Sequence, residues 1–227
     1  MISSPNCDPK DLTTENPWLR VALKDYELHM SSEFVQQSGA LADLLERAVA
    51  LRKPRSIAIL GIAGGNGLDR LRSSALHRIV GVDVNPTYLK VVRKRYSDLD
   101  TLELHRFDLS RQAIHVESVD LVHAALIFEH AGIGLCLQNA VSLVSKGGAL
   151  SIVLQLAGSS TASAVGGSGI ASIERLAPHF KLVDPALLQH ALGAHSFTLQ
   201  HEEVRLLVAG KRLWLGMFVR LGASGEE

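Results

Sequence analysis

Residues 55–85 read RSIAILGIAGGNGLDRLRSSALHRIVGVDVN, and the order of features within them decides the fold. The apolar run Ser56-Ile57-Ala58-Ile59-Leu60 is too short for a helix and rich in β-branched residues, so it predicts a buried strand. The turn Gly61-Ile62-Ala63-Gly64-Gly65-Asn66-Gly67 follows, where glycines supply positive φ and let backbone approach a ligand closely. Leu68 to Arg72 is built of good helix formers. Arg78-Ile79-Val80-Gly81-Val82-Asp83 predicts a second strand that ends on a carboxylate. Strand, glycine turn, helix, strand and terminal acid make the wiring of a nucleoside-binding βαβ unit. One carboxylate at that strand end can accept from both hydroxyls of a ribose diol. A glycine turn serving only to pack strand against helix is the plainer alternative.

Before the turn, the polar stretch Met1 to Asn16 reads as a tail. Pro17 to Met30 and Glu33 to Leu51 predict two helices. In the second, Phe34, Val35, Ala40, Leu41, Leu44 and Leu45 recur at helical spacing, with Ser31 or Ser32 as its cap. Pro54 closes this segment, so residues 1–53 are expected to form a tail and helical cap, and 54–227 the main domain. Tyr26, His29 and Met30 either pack on the core at i, i+3, i+4 or lid a bound ligand.

After the second strand, Asn85-Pro86 predicts an N-cap followed by proline at the first helical position. Leu89, Val92 and Tyr96 mark the apolar stripe of that helix, and Lys90, Arg93, Lys94 and Arg95 its solvated face. Leu102 to Phe107 alternates as a strand and runs into Asp108-Leu109, where Asp108 is a candidate ligand group or a turn cap. Val119 to Ala125 predicts the fourth strand, followed by Leu126-Ile127-Phe128-Glu129-His130. Glu129 and His130 read either as active groups or as a cap and surface ion pair. A helix through Leu135 to Val144 then stops at Lys146-Gly147-Gly148, and Ala149 to Leu156 predicts the fifth strand. Gly158 to Gly169 is a Gly/Ser-rich loop placed to lid a substrate. Ile173 to Phe180 and Asp184 to Ala194 read as short helices. Phe197 to Ala209 and Leu213 to Val219 read as an antiparallel hairpin turning at Gly210-Lys211-Arg212.

The glycine turn has two family readings. Gly61, Gly65 and Gly67 fit the G-x-x-x-G-x-G of short-chain dehydrogenases, which bind a nicotinamide dinucleotide. Aligned on Ala63, Gly65 and Gly67, the stretch resembles the G-x-G-x-G of class I S-adenosylmethionine-dependent methyltransferases of the small-molecule type. There Gly61 stands in place of the family's usual acid and Ala63 in place of its first glycine. Leu143-Val144-Ser145-Lys146-Gly147-Gly148-Ala149-Leu150 is similar to the same family's L-K-P-G-G-x-L. The dehydrogenase reading needs Tyr-x-x-x-Lys, and none of the tyrosines at 26, 88 and 96 has a lysine four residues on. A third reading, a non-catalytic nucleoside-binding protein, rests on the missing acid at Gly61.

The methyltransferase resemblance implies a doubly wound α/β fold, a seven-stranded and mostly parallel sheet with one antiparallel strand from the carboxyl-terminal hairpin and an amino-terminal helical cap. It implies S-adenosyl-L-methionine as cofactor and S-adenosyl-L-homocysteine as product. Gly61, Ile62, Ala63, Gly65, Asn66 and Gly67 would cradle the methionine and ribose, and Asp83 would bind the ribose hydroxyls. Val84 and Leu109 would flank the adenine, Asp108 would accept from its amine, and Ala124 and Ala125 would leave room for the methionine end. Tyr26, His29, Glu129 and His130 would meet the substrate, with His130, Glu129 or His29 as a base.

Composition bounds the partners. Lys plus Arg and Asp plus Glu are 23 each, so no net field draws the chain to nucleic acid or an anionic membrane. Two cysteines, Cys7 and Cys136, suggest neither a disulfide framework nor a thiolate metal site, and no metal is expected. The amino terminus has no signal-type apolar core and no stretch reaches the ~20 apolar residues of a membrane span, so the expected location is cytoplasmic. A small-molecule acceptor is expected, and a homodimer is compatible with the chain.

Overall fold

The computed structural model describes residues 15–158, 168–207 and 210–221. Its strands are β1 (Ser56–Leu60), β2 (Arg78–Asp83), β3 (Leu102–Arg106), β4 (Val119–Ala125), β5 (Val144–Leu156), β6 (Phe197–Leu206) and β7 (Arg212–Arg220). They form a seven-stranded sheet in the order β3-β2-β1-β4-β5-β7-β6 among the described residues. β1 pairs in parallel with β2 and β4, while β7 runs antiparallel to both β5 and β6. The central strands are apolar on both faces because helices cover both.

The helices are α1 (Leu23–Ser31), α2 (Gln37–Arg52), α3 (Pro86–Arg95), α4 (Phe128–Ala131), α5 (Leu135–Leu143), α6 (Ala171–Glu174) and α7 (Pro185–Gly193). Alternation along the strands sends Ile57, Ile59, Ile79 and Leu121 to one face, against Leu45 and Ala48 of α2 and Leu89 and Val92 of α3. Ala58, Leu60, Val80, Val82 and Val122 go to the other face, against α5 and α7. α2 therefore shares its core with the sheet, as a layer of the same body.

Several predicted elements change shape under tertiary bonding. The helix expected over Pro17–Met30 divides into a 3-10 turn, Pro17–Arg20, and α1. Val21 and Ala22 between them are extended, and the hydroxyl of Tyr88 donates to the Val21 carbonyl at 2.9 Å. α2 begins at Gln37, because Gln36 is left-handed at φ 45°. Phe34 falls outside the helix and is 63% exposed. Ser31 and Ser32 donate back into α1 through Oγ and cap nothing downstream.

After the glycine turn a single 3-10 turn, Leu68–Leu71, replaces the expected helix. Gly147 and Gly148 lie inside β5, not at a helix stop. At Gly148 a Cβ would come within 2.9 Å of the Asp120 carbonyl, so close strand contact at the β4 bulge demands glycine there. The stretch Ile173 to Phe180 reduces to α6 and a 3-10 turn, Ala177–His179. The tail at 1–14 and residues 159–167 of the expected Gly/Ser loop lie outside the described residues.

Candidate active site

A cavity of about 270 Å³ opens at the carboxyl ends of β1, β2 and β4, where strand order reverses between β1 and β4. That switch point is where open α/β sheets bind ligands. Gly61 and Ala63 from the glycine turn, Asp83 and Val84 after β2, and Asp108 and Leu109 after β3 all line it. Ala125 at the end of β4 lines it too, whereas Ala124 is fully buried in the core. Two strand-end carboxylates thus face one cavity.

Asp83 is nearly buried, at 8% exposure, and backbone holds it in place. Its Oδ2 accepts from the Ala63 N–H at 2.9 Å and its Oδ1 from the Asn85 N–H at 2.8 Å. Burial pushes its pKa up to about 6, against the pull of these N–H groups. A carboxylate offers about four acceptor positions, so capacity remains toward the cavity. Asp108 accepts on Oδ1 from the Ser110 N–H at 3.1 Å and hydroxyl at 2.5 Å, and on Oδ2 from Asn16 at 3.0 Å. Arg111 Nε also stands 3.8 Å from Oδ2, so this oxygen faces a cation as well as the cavity. The residues fit the cofactor: acceptors for a diol and an amine stand at neighbouring strand ends.

Only the first half of the glycine turn meets this cavity. Gly61 (φ 72°) and Ala63 (φ 47°) adopt left-handed backbone at its wall. The Ile62 side chain instead fills the core beside Gly81, where an added Cβ would lie 2.5 Å from Ile62 Cδ1. Gly65 faces Tyr96, whose hydroxyl donates to the Gly65 carbonyl at 2.9 Å. Gly67 lies against Ala42 and Leu45 of α2, and the Asn66 amide donates to the Ser38 carbonyl. Gly65, Asn66 and Gly67 are turned to packing, away from the cavity.

An amino-terminal strap crosses the cofactor wall. Asn16 bonds Asp108, the Asn85 amide donates to the Trp18 carbonyl at 2.9 Å, and Tyr88 holds Val21. The strap sets Trp18 in the wall, edge-to-face with Tyr26 at 5.7 Å and with His130 at 4.8 Å between ring centroids. His130 in turn meets Phe180 edge-to-face at 5.0 Å.

Among the expected catalytic groups, His130 and His29 line the cavity and Glu129 does not. His130 Nδ1 is buried without a hydrogen-bond partner, and burial, assisted by His179, pushes its pKa down to about 4. His29 Nδ1 pairs with the Ser168 hydroxyl at 2.7 Å; burial and then the charge of Lys211 lower its pKa to about 4. Both rings are therefore neutral near pH 7. Burial, and then Asp83 and Glu27, raise the pKa of Tyr26, which also lines the cavity. Glu129 points into the protein: Oε1 accepts from the Gln155 N–H at 2.8 Å, Oε2 is buried and unpartnered, and burial lifts its pKa to about 7.

Trp18, Phe180, Gln37 and Gln155 are wall residues that sequence reading did not single out. Gln37 donates to the Gln155 side chain at 3.1 Å across 118 residues of chain, a pairing with no local signal. Among the described residues no group of three His, Cys, Asp or Glu could hold a metal, and no helix is long and apolar enough to cross a membrane.

Residues 59–152, spanning the turn and both strand-end acids, match the family model described as a methyltransferase domain. No curated protein matches the chain. Among solved structures it is similar to magnesium protoporphyrin IX methyltransferase from Synechocystis PCC 6803 with bound S-adenosylhomocysteine. That match has 12% identity and a TM-score of 0.67, covering 89% of this chain and 96% of that one. It is also similar to the N-methyltransferase NodS from Bradyrhizobium japonicum WM9 with S-adenosylhomocysteine, at 13% identity, 91% and 99% coverage and a TM-score of 0.63. The [4+2]-cyclase SpnF matches at 11% identity, 85% and 84% coverage and a TM-score of 0.64. At such identities the likeness to these structures is one of fold. The domain match over residues 59–152 and the sheet order together mark a methyltransferase domain on a Rossmann-like sheet.

Proposed function

We propose that the chain transfers a methyl group from S-adenosylmethionine to a small molecule held between the strap, α1 and α6. The observation that carries this is the convergence of Asp83 and Asp108 on one cavity whose far wall is aromatic and closed by the chain's own segments. S-Adenosylmethionine supplies an electrophilic methyl group on a sulfonium, open to in-line displacement. Asp83 would hold the ribose hydroxyls, Asp108 the adenine amine, and Val84 and Leu109 the adenine faces. Gly61 and Ala63 bring bare or nearly bare backbone against the methionine end.

The chain's contribution to rate is alignment and exclusion of water, which can supply much of the barrier reduction in a displacement. Trp18 and Phe180 screen the reacting region from solvent. Neutral His130 lines the cavity, and its low basicity suits its imidazole to hydrogen bonding with an acceptor O–H or N–H more than to full proton removal near pH 7. Glu129 supports from behind by fixing the Gln155 backbone.

Calorimetric titration with S-adenosylmethionine and S-adenosylhomocysteine, with NADH as control, tests the reading. Binding of both sulfur compounds that is lost in Asp83→Ala is the expected result. NADH binding with no response to either would overturn it.

A further inference from the structure

The acceptor end of the cavity is unbalanced in charge. His179 stands exposed on its rim beside Phe180, and its charge acts on His130. On the α1 side, the charge of Lys211 acts on His29. The β6–β7 hairpin fixes where that lysine sits. Lys211 precedes β7, whose first residues Arg212 and Leu213 pair with Leu156 and with Gln155 of the cavity wall. The Leu207 N–H donates to the Lys211 carbonyl at 2.8 Å, and Leu207 packs on the apolar cluster that also carries the wall residues Tyr26, Met30 and Leu126. Lys211 is thus held half-buried beside the His29 side of the cavity.

Among the described residues neither Lys211 nor His179 has a carboxylate partner. The acids of the neighbouring elements are committed elsewhere. Asp83 and Asp108 stand on the cofactor wall, where Asp83 accepts from backbone N–H groups and Asp108 from Asn16 and Ser110. Glu129 faces the interior, Asp25 accepts from the Ser172 hydroxyl at 2.5 Å, and Glu27 pairs with Arg95 at 2.6 Å. Glu174 of α6 is exposed and off the wall. Residues 159–167 and 208–209 contain no Asp or Glu. A half-buried cation without a partner gains from an anion brought beside it. Trp18, Tyr26 and Phe180 meanwhile offer ring surface to an apolar body. Resting on the methyltransferase reading, we propose that the acceptor is an aromatic acid whose ring lies against Trp18 and Phe180 and whose carboxylate is held in the positive field of Lys211 and His179. The carboxylate is the handle by which the acceptor is bound.

The test is calorimetric titration of the full chain near neutral pH with three probes on one ring system: 2-naphthoate, 2-naphthol and 2-naphthylmethylamine. Each is run with and without S-adenosylhomocysteine, which carries no sulfonium charge to attract an anion. Naphthoate is expected to bind at least about tenfold tighter than either other probe. Lys211→Met keeps the apolar stem and removes the charge. It should weaken naphthoate about tenfold and leave naphthol within about twofold, while Lys211→Arg restores naphthoate. His179→Gln should likewise weaken naphthoate and spare naphthol. Naphthol or the amine binding as tightly as naphthoate would overturn the inference, as would equal losses of naphthoate and naphthol in Lys211→Met. So would a loss of S-adenosylhomocysteine in Lys211→Met as large as that of naphthoate, since it would assign the lysine to the cofactor's own carboxylate. Naphthoate selectivity without S-adenosylhomocysteine binding supports the anion site and counts against the cofactor reading. S-Adenosylhomocysteine binding without naphthoate selectivity overturns the anion site alone.

Discussion

The carboxylate of Asp83 accepts from the backbone N–H of Ala63 at 2.9 Å, and this bond ties the glycine turn to the end of β2. The same carboxylate accepts from the Asn85 N–H, so one buried side chain both shapes the turn and faces the ligand. Asp83→Asn keeps the size but replaces one acceptor oxygen with an NH2 group. One of the two buried N–H groups then loses its partner, at about 1–3 kcal/mol. We expect a lower melting temperature and at least tenfold weaker S-adenosylhomocysteine binding, read by melting and calorimetry. Unchanged affinity would remove Asp83 from the diol.

Glu129 makes a pH prediction whose sign is set by burial. Its pKa stands near 7 in the folded chain against 4.5 ordinarily. Its contribution to stability is thus fully present below pH 4.5 and is lost as pH rises toward 7. The shift is worth roughly 3 kcal/mol. Glu129→Gln keeps an oxygen for the Gln155 N–H and has no charge to desolvate. The melting temperature of this variant minus that of wild type should rise by several degrees between pH 4.5 and 7 and then level off. Taking the difference cancels Asp83, which acts in the same sense, and the buried histidines, which act in the opposite one. A flat difference would place the Glu129 carboxyl in water.

The glycines of the turn divide into two classes with opposite consequences. At Gly65, φ is 83° and an added Cβ would lie 2.6 Å from Tyr96 Cε2. Gly65→Ala should cost about 2–4 kcal/mol from left-handed strain and overpacking. Its folded fraction should bind S-adenosylhomocysteine within about threefold of wild type, since Gly65 does not line the cavity. At Gly61 an added Cβ would meet Ile127 Cδ1 at 3.1 Å, at the cavity wall. Gly61→Ala should lower affinity as well as stability. The two variants behaving alike in calorimetry would show that the turn contacts the ligand as a whole.

This division shows where sequence reading stops. The strands, the cap at Asn85 and the paired acids Asp83 and Asp108 are legible because period, capping and strand ends are local signals. Gly61 and Gly65 look alike in the motif, because what separates them is Tyr96 and Ile127 on other elements. Glu129 and His130 are adjacent in sequence, yet α4 turns one inward and the other to the cavity. Trp18 sits in a stretch with helical composition, but its place is set by bonds from Asn85 and Tyr88, 67 residues away in each hydrogen bond. Long-range bonding overrides local preference at each of these points.

The strap's anchor on Asn85 can be cut while α3 stays capped. Asn85 does two things: its Oδ1 caps α3 on the Thr87 N–H at 2.9 Å, and its Nδ2 holds the Trp18 carbonyl. Asn85→Asp keeps the cap acceptor, which is the part worth about 1 kcal/mol to the helix. It removes the donor and places a carboxylate against the Trp18 carbonyl, so the strap is repelled while α3 stays capped. The chain has two tryptophans, and Trp214 is buried on β7 with its N–H on Glu202. In a Trp214→Phe background, emission therefore reports on Trp18 alone. We expect Asn85→Asp to shift that emission to the red as Trp18 gains water. Binding of S-adenosylhomocysteine should weaken as well, because the new carboxylate stands beside Asp83, which accepts from the residue-85 N–H. An unshifted spectrum would mean that edge-to-face contacts with Tyr26 and His130 hold Trp18 in place without the strap bond.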